Sequence, residues 1–190
     1  MRATALAAVV ACSPMGMSTA SAHGYTDLPA SRQQLCARDV VTGCGPVRWE
    51  PQSVEGRKGF PAGGPADGEI CSGGHPEFRG LDDPRNGSGW PATALKAGTV
   101  NEFRWRFTAR HSTSTFKYYI TKNGWDPSRP LARNSLQSIA TYPFAGKQPP
   151  ATLSHQVEIP WGLSGRHIVL AVWDIADTGN AFYACSDVEL

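Results

Sequence analysis

The sequence lacks any long apolar run. Nothing in its 190 residues approaches the roughly 20 consecutive apolar positions of a membrane-spanning helix, which argues against a helical membrane protein. It also lacks a surplus of either charge. Lys and Arg number 18 and Asp and Glu 16, a net charge of +2, with no basic stripe for nucleic acid and no polybasic patch for a membrane surface. Cys-x-x-Cys is absent, which counts against a four-cysteine zinc site. His-Glu-x-x-His, the zinc-protease pattern, is absent too. The stretch Gly162-Leu163-Ser164-Gly165 is not a nucleophile elbow, because Arg166 stands where the second glycine is required. Glu50 with Glu55, or Asp82 with Asp83, could be imagined as a hydrolase pair. Such a pair needs a defined separation across a cleft, and nothing in the sequence fixes one. There is no internal repeat and no long amphipathic helical pattern.

What is present begins with a secretory leader. Arg2 precedes an apolar stretch from Ala3 to Cys12, and Ala20-Ser21-Ala22 reads as a small-residue cleavage site. A cut after Ala22 leaves residues 23–190, enough for one domain and too few for two ordinary ones, and places the protein outside the cell. Val9-Val10-Ala11-Cys12 also looks like a lipoprotein box, and lipidation at Cys12 would leave His23 inside a tether. The short basic region and the placement of Ala20-Ser21-Ala22 favour the cut after Ala22. Cys36, Cys44, Cys71 and Cys185 then remain, an even count that reads as two disulfides with three pairings open. A local Cys36–Cys44 bond would close a short loop, and Cys71–Cys185 would then pin a long loop to the C-terminal strand.

Residues 23–35 look extended or irregular. From Gly43 to Pro91 there are 12 Gly and 7 Pro in 49 residues, a composition that cannot form long regular elements. The cysteines and the aromatics Trp49, Phe60, Phe78 and Trp90 favour an ordered, packed loop. Beyond Pro91 the pattern changes. Phe103, Trp105, Phe107 and Ala109 alternate with Arg104, Arg106 and Thr108, a half-buried strand. Phe116, Tyr118 and Ile120 alternate before the Asn123-Gly124 turn. Val157 and Ile159 mark a short strand. Ile168 to Trp173 suits a strand buried on both faces, and Ala181 to Leu190 closes the chain as a last strand after the turn Asp177–Asn180. Short strands separated by Gly/Pro turns predict an all-β sandwich carrying a long Gly/Pro-rich loop insertion.

The cleavage site has a chemical consequence. A chain beginning at His23 offers two nitrogens from one residue, a free α-amine and an imidazole, which lose their protons near roughly pH 7.7–8.0 and about 6.5. His111 follows the strand that ends at Ala109, so its imidazole can reach the surface. Together these are three nitrogen donors, a set that suits Cu(II) in tetragonal geometry with open positions left over. Histidines taken singly read as satisfied structural or surface residues, so His75, His155 and His167 receive no role.

Several stretches together carry a family resemblance: His23-Gly24-Tyr25, Pro29-Ala30-Ser31-Arg32, Glu50-Pro51-Gln52-Ser53-Val54-Glu55-Gly56, Thr108-Ala109-Arg110-His111-Ser112-Thr113, and Trp173 through Tyr183. The sequence resembles a bacterial, chitin-active lytic polysaccharide monooxygenase of the kind formerly called chitin-binding proteins. The resemblance implies a fibronectin III- or immunoglobulin-like sandwich and a copper site made by His23 and His111. It implies oxidative cleavage of crystalline polysaccharide, with an external electron donor and O2 or H2O2. Chitin with C1 oxidation is the expected outcome. The alternatives are the same chemistry on cellulose, or a non-catalytic chitin-binding protein. By position, Phe182 matches the apolar group beside the copper axis, Ala109 a small residue on the other axial side, and Glu55 a carboxylate near the copper that positions the oxygen co-substrate. Trp49 stands where the family carries an exposed aromatic able to stack on a sugar. Glu50, Asp177, Thr178 and Asn180 match the substrate face, where Gly179 replaces a small residue such as Ala. A monomer is expected, with no nucleic-acid or membrane partner.

Overall fold

The computed structural model describes residues 22–87 and 89–190. Residues 1–21, which hold all but the last residue of the expected leader and include Cys12, lie outside the described residues. Among the described residues there are nine strands and one short α-helix, besides short 3₁₀ turns: β1 His23–Leu28, α1 Arg32–Ala37, β2 Glu55–Arg57, β3 Thr93–Ala94, β4 Val100–Ala109, β5 Thr113–Thr121, β6 Leu136–Lys147, β7 Thr152–Glu158, β8 Arg166–Ile175 and β9 Asn180–Glu189. They form two sheets. One has the order β1-β4-β7. The other has the order β2-β9-β8-β5-β6, with β3 added in parallel beside β9.

The alternation in β4 decides how the sheets meet. Phe103, Trp105 and Phe107 are buried while the residues between them are not, because successive side chains of a strand point to opposite faces. These rings pack against Phe116, Tyr118, Val169, Ala171, Trp173 and Phe182 of the opposing sheet, giving the sandwich core. The larger sheet has a second buried face. Tyr119, Ile168, Leu170, Val172, Tyr183 and Cys185 pack beneath Leu35, Val47, Val54, Phe60, Ile70, Phe78, Leu81 and Trp90. The Gly/Pro-rich segment is therefore a packed covering layer built from short 3₁₀ turns. That is why β8 is buried from His167 to Ile175 and reads as a continuous apolar run.

The disulfides are Cys36–Cys44 and Cys71–Cys185. The second ties the covering layer to β9. Deep in the same layer, buried Arg32 pairs with Asp187 at 2.7 Å and donates to the Leu81 carbonyl at 2.7 Å.

Two elements depart from the sequence reading. Residues 136–147, read as no element, form the twelve-residue β6. Pro143 disguises it, but β6 is the edge of its sheet, where a residue without an N–H is tolerated. Residues 32–35, read as extended or irregular, fall in α1, where Arg32, Gln33 and Gln34 are all buried and Arg32 and Gln33 are held by partners about 150 residues away.

The registers gather one set of strand ends at one pole. His23 pairs with Ala109, Thr113 with Ile175, and Asp174 with Ala181. At the other pole Leu190 and Gly165 exchange both backbone hydrogen bonds at 2.9 Å, so β8 runs from that pairing to the gathered ends.

Candidate metal centre

His23 opens β1 opposite Ala109, the last residue of β4. His111 lies in the short connection between β4 and β5, two positions beyond the partner of His23. It is only 6% exposed. Gly24 permits this closeness. A Cβ there would stand 2.9 Å from Phe107 Cδ1 and 3.1 Å from Trp173 Cζ3, so β1 lies directly on those rings. Phe182 is fully buried, and its ring centroid lies 4.9 Å from that of Trp173. It is thus a core ring packed on Trp173 rather than a surface ring.

Asp177 is bonded to the centre. Its Oδ1 lies 2.8 Å from His111 Nε2, and its side chain is 60% exposed. Imidazoles at metal sites commonly carry such a carboxylate partner, which orients the ring. Glu55 pairs with Phe182 in the β2–β9 ladder, and Arg57 with Asn180. Glu55, Arg57, His75 and Asn180 line a cleft of about 320 Å³. Thr178 and Asn180 lie exposed on the turn after Asp177, where the Asn180 N–H donates to Thr178 Oγ1 at 3.2 Å.

Trp49 is 77% exposed. The Arg48 guanidinium lies 4.5 Å from the ring centroid and is itself paired with Asp39 at 2.7 Å, so the indole is held from one side. Glu50 is half-buried, and the turn Pro51–Ser53 lies against β1. The structure thus links His23, Ala109, His111, Asp177, Phe182 and Glu55 by register and contact. Trp49 and Glu50 stand on the neighbouring loop.

Among the described residues no three His, Cys, Asp or Glu side chains converge as a cage. Two imidazoles alone would leave a metal undersupplied. The main-chain nitrogen of His23 makes the third donor once it is a free amine. An all-nitrogen set on a rigid strand pair suits copper, so the residues fit the metal that the resemblance implies.

Of the histidines set aside, two are structural. The Tyr118 hydroxyl meets His155 Nδ1 at 2.7 Å, and His167 Nδ1 bonds the Thr121 carbonyl at 2.9 Å. His75 differs, because its Nε2 bonds the main-chain carbonyl of Glu55. No spacing in the sequence points to that contact.

The family model for lytic polysaccharide mono-oxygenase, described as cellulose-degrading, matches residues 23–188. A lytic chitin monooxygenase of Streptomyces ambofaciens is 44% identical over 186 residues, covering 98% of this chain and 91% of the relative. The GlcNAc-binding protein A of Shewanella oneidensis is 43% identical over 183 residues, covering 95% of this chain but 38% of the relative. This chain therefore spans well under half of that protein's length. An AA10 lytic polysaccharide monooxygenase from Streptomyces lividans superposes with a TM-score of 0.86 at 60% identity, over 88% of this chain and 100% of that one. A Bacillus amyloliquefaciens CBM33 in complex with Cu(I) superposes with a TM-score of 0.83 at 41% identity, over 88% of this chain and 99% of that one. With the sandwich, the paired strand ends and these relatives in agreement, the chain belongs to the AA10 family of lytic polysaccharide monooxygenases.

Proposed function

We propose that this protein is secreted, is cut after Ala22, and works as a single domain of residues 23–190 that cleaves crystalline chitin oxidatively at C1. The observation that carries the reading is the β1–β4 register, which sets His23 opposite Ala109 and two residues from His111. Relatives named for chitin and GlcNAc favour chitin. The family model's description keeps cellulose as the alternative polymer.

His23, through its amine and imidazole, and His111 would hold copper, which would supply the redox chemistry by which an external electron donor and O2 or H2O2 act on the polymer. The chain's own residues do the rest. Asp177 is the hydrogen-bond partner of the His111 ring. Phe182 and Trp173 give the centre an apolar, water-poor floor, and Phe182 offers no competing ligand. Ala109 is small enough to leave room beside the histidines. Glu55, on the strand paired to Phe182, directs a carboxylate to the co-substrate. Trp49, Glu50, Asp177, Thr178 and Asn180 meet the polymer. An aromatic face stacks on sugar rings, and the polar groups bond hydroxyls and acetamides. A flat crystal face laid over these residues excludes water from the reacting carbon.

The test uses protein beginning at His23, loaded with copper and given reductant on β-chitin and on cellulose, with soluble products read by mass spectrometry. C1-oxidised chitin oligosaccharides are expected. Adding one Ala before His23 should weaken copper binding sharply in calorimetry, because the amine becomes an amide. Unchanged affinity would rule out a terminal histidine ligand.

A second reading, adhesion without turnover, is favoured by the backed and exposed ring of Trp49, which needs no metal to stack. The two readings separate on His111→Ala: chitin binding should persist while oxidised products vanish. Absence of oxidised product from copper-loaded wild type on either polymer would support adhesion.

A further inference from the structure

β2 is three residues long and lies at the edge of its sheet. One side of it is held by β9: the Tyr183 N–H donates to the Val54 carbonyl at 3.0 Å, and the Lys58 N–H to the Gly179 carbonyl at 2.8 Å. A strand this short on an edge gains little from its ladder alone. Its other side faces the turn Gly73-Gly74-His75. A Cβ on Gly56 would lie 2.4 Å from the Gly73 carbonyl oxygen, and one on Gly73 would lie 2.9 Å from that of Glu55. The two backbones are therefore in direct contact. Gly73 and Gly74 both have positive φ, 70° and 85°, a conformation that glycine adopts freely. This double turn brings His75 round, so that Nε2 meets the outward carbonyl of Glu55.

The ring packs from behind on buried Phe78, 5.6 Å between ring centroids. The turn is fixed as well. Cys71, two residues before Gly73, is bonded to Cys185 of β9. Asp82 Oδ1 accepts the N–H groups of Cys71 and Ser72 at 2.8 and 3.2 Å. Glu55 is thus gripped between two parts of the structure that both trace to β9: Phe182 by register and His75 by way of the disulfide.

We propose that His75 is a positioning residue, which pins the Glu55 main chain and so fixes where its carboxylate stands beside the metal centre. This rests on the reading of Glu55 given above. His75 touches neither the polymer nor the metal in this scheme.

The test compares His75→Met, which keeps bulk and loses the donor, with His75→Gln, which keeps an N–H donor. Two readouts are taken. The first is amide hydrogen exchange of residues 54–58 in metal-free protein beginning at His23. The second is the initial rate of oxidised product, in wild-type and Glu55→Gln backgrounds. Loss of one such hydrogen bond should speed exchange and slow turnover about fivefold in His75→Met, with His75→Gln close to wild type. On the Glu55→Gln background the His75→Met effect on rate should disappear. Unchanged exchange in His75→Met overturns the proposal, as does full additivity of the two rate effects. If Glu55→Gln alone leaves the rate unchanged, the role of Glu55 itself falls and takes the proposal with it, and that single variant identifies which of the two failed.

Discussion

Asp82 and His155 are buried titratable side chains pushed in opposite senses. Burial lifts the Asp82 carboxyl from 3.8 to about 6, against the lowering effect of the Ser72 and Cys71 N–H groups and Arg32. Burial pushes the His155 imidazole down from 6.5 to about 4. The folded state thus holds the Asp82 proton more tightly than the unfolded chain does. Its contribution is full below about pH 3.8 and is lost as pH rises through about 6. The folded state disfavours a proton on His155, whose contribution is full above about 6.5 and is lost as pH falls through about 4. Between about pH 4 and 6 the two slopes oppose each other. Asp82→Asn should therefore lose stability on acidification more steeply than wild type, while His155→Gln should gain. Urea midpoints at pH 4.5 and 7 check this, and parallel behaviour of the two variants would remove the assignment. At this scale the sequence was only partly informative. The position of His111 just past the end of β4 was legible, because the apolar alternation stops at Ala109. The grip of His75 on Glu55 was not, because it depends on how two glycines fold a turn against a strand 20 residues away.

Among the elements, β1 is the one on which the centre depends, and its fit is set by Gly24. Gly24→Ala would drive a methyl into Phe107, Trp173 and the Arg106 carbonyl. Overpacking of this kind costs about 1–3 kcal/mol, and here the strain falls on the residue next to His23. The expected result is a lower unfolding midpoint together with weaker copper binding. A variant that lost stability but kept full copper affinity would show that β1 can move without moving the centre. The legibility of the elements follows the same physics. β4 was readable because one face is buried and the other is largely wet, and β5 because Phe116, Tyr118 and Ile120 alternate, although Tyr119 on its other face is buried too. β8 was readable as an apolar run because both its faces are covered. β6 carries a proline that only its edge position allows, and α1 buries Arg32, Gln33 and Gln34 against partners that become neighbours only after folding.

For the molecule as a whole, the covering layer is fastened to the large sheet chiefly by its buried aromatic residues and by Cys71–Cys185, which closes a loop of 114 residues. Replacing both cysteines by serine should cost about 2–5 kcal/mol in urea unfolding. It should also speed amide exchange in β2 before global unfolding, because the turn that bears on β2 loses its tether. A uniform rise in exchange across all strands would instead mean that the disulfide serves only the unfolded state. The sandwich was legible from period and turn residues. The stacking of the loop layer on the outer face was not, since a Gly/Pro-rich stretch carries no period to read.

The pairing of Leu190 with Gly165 has a practical side. β8 joins that end of the molecule to the metal centre over ten residues, roughly 30 Å of extended chain. On the function proposed above, a tether attached near the Gly165–Leu190 pairing would therefore lie away from the polymer-facing end, whereas one attached through the amine of His23 would lie under that end and consume a ligand nitrogen.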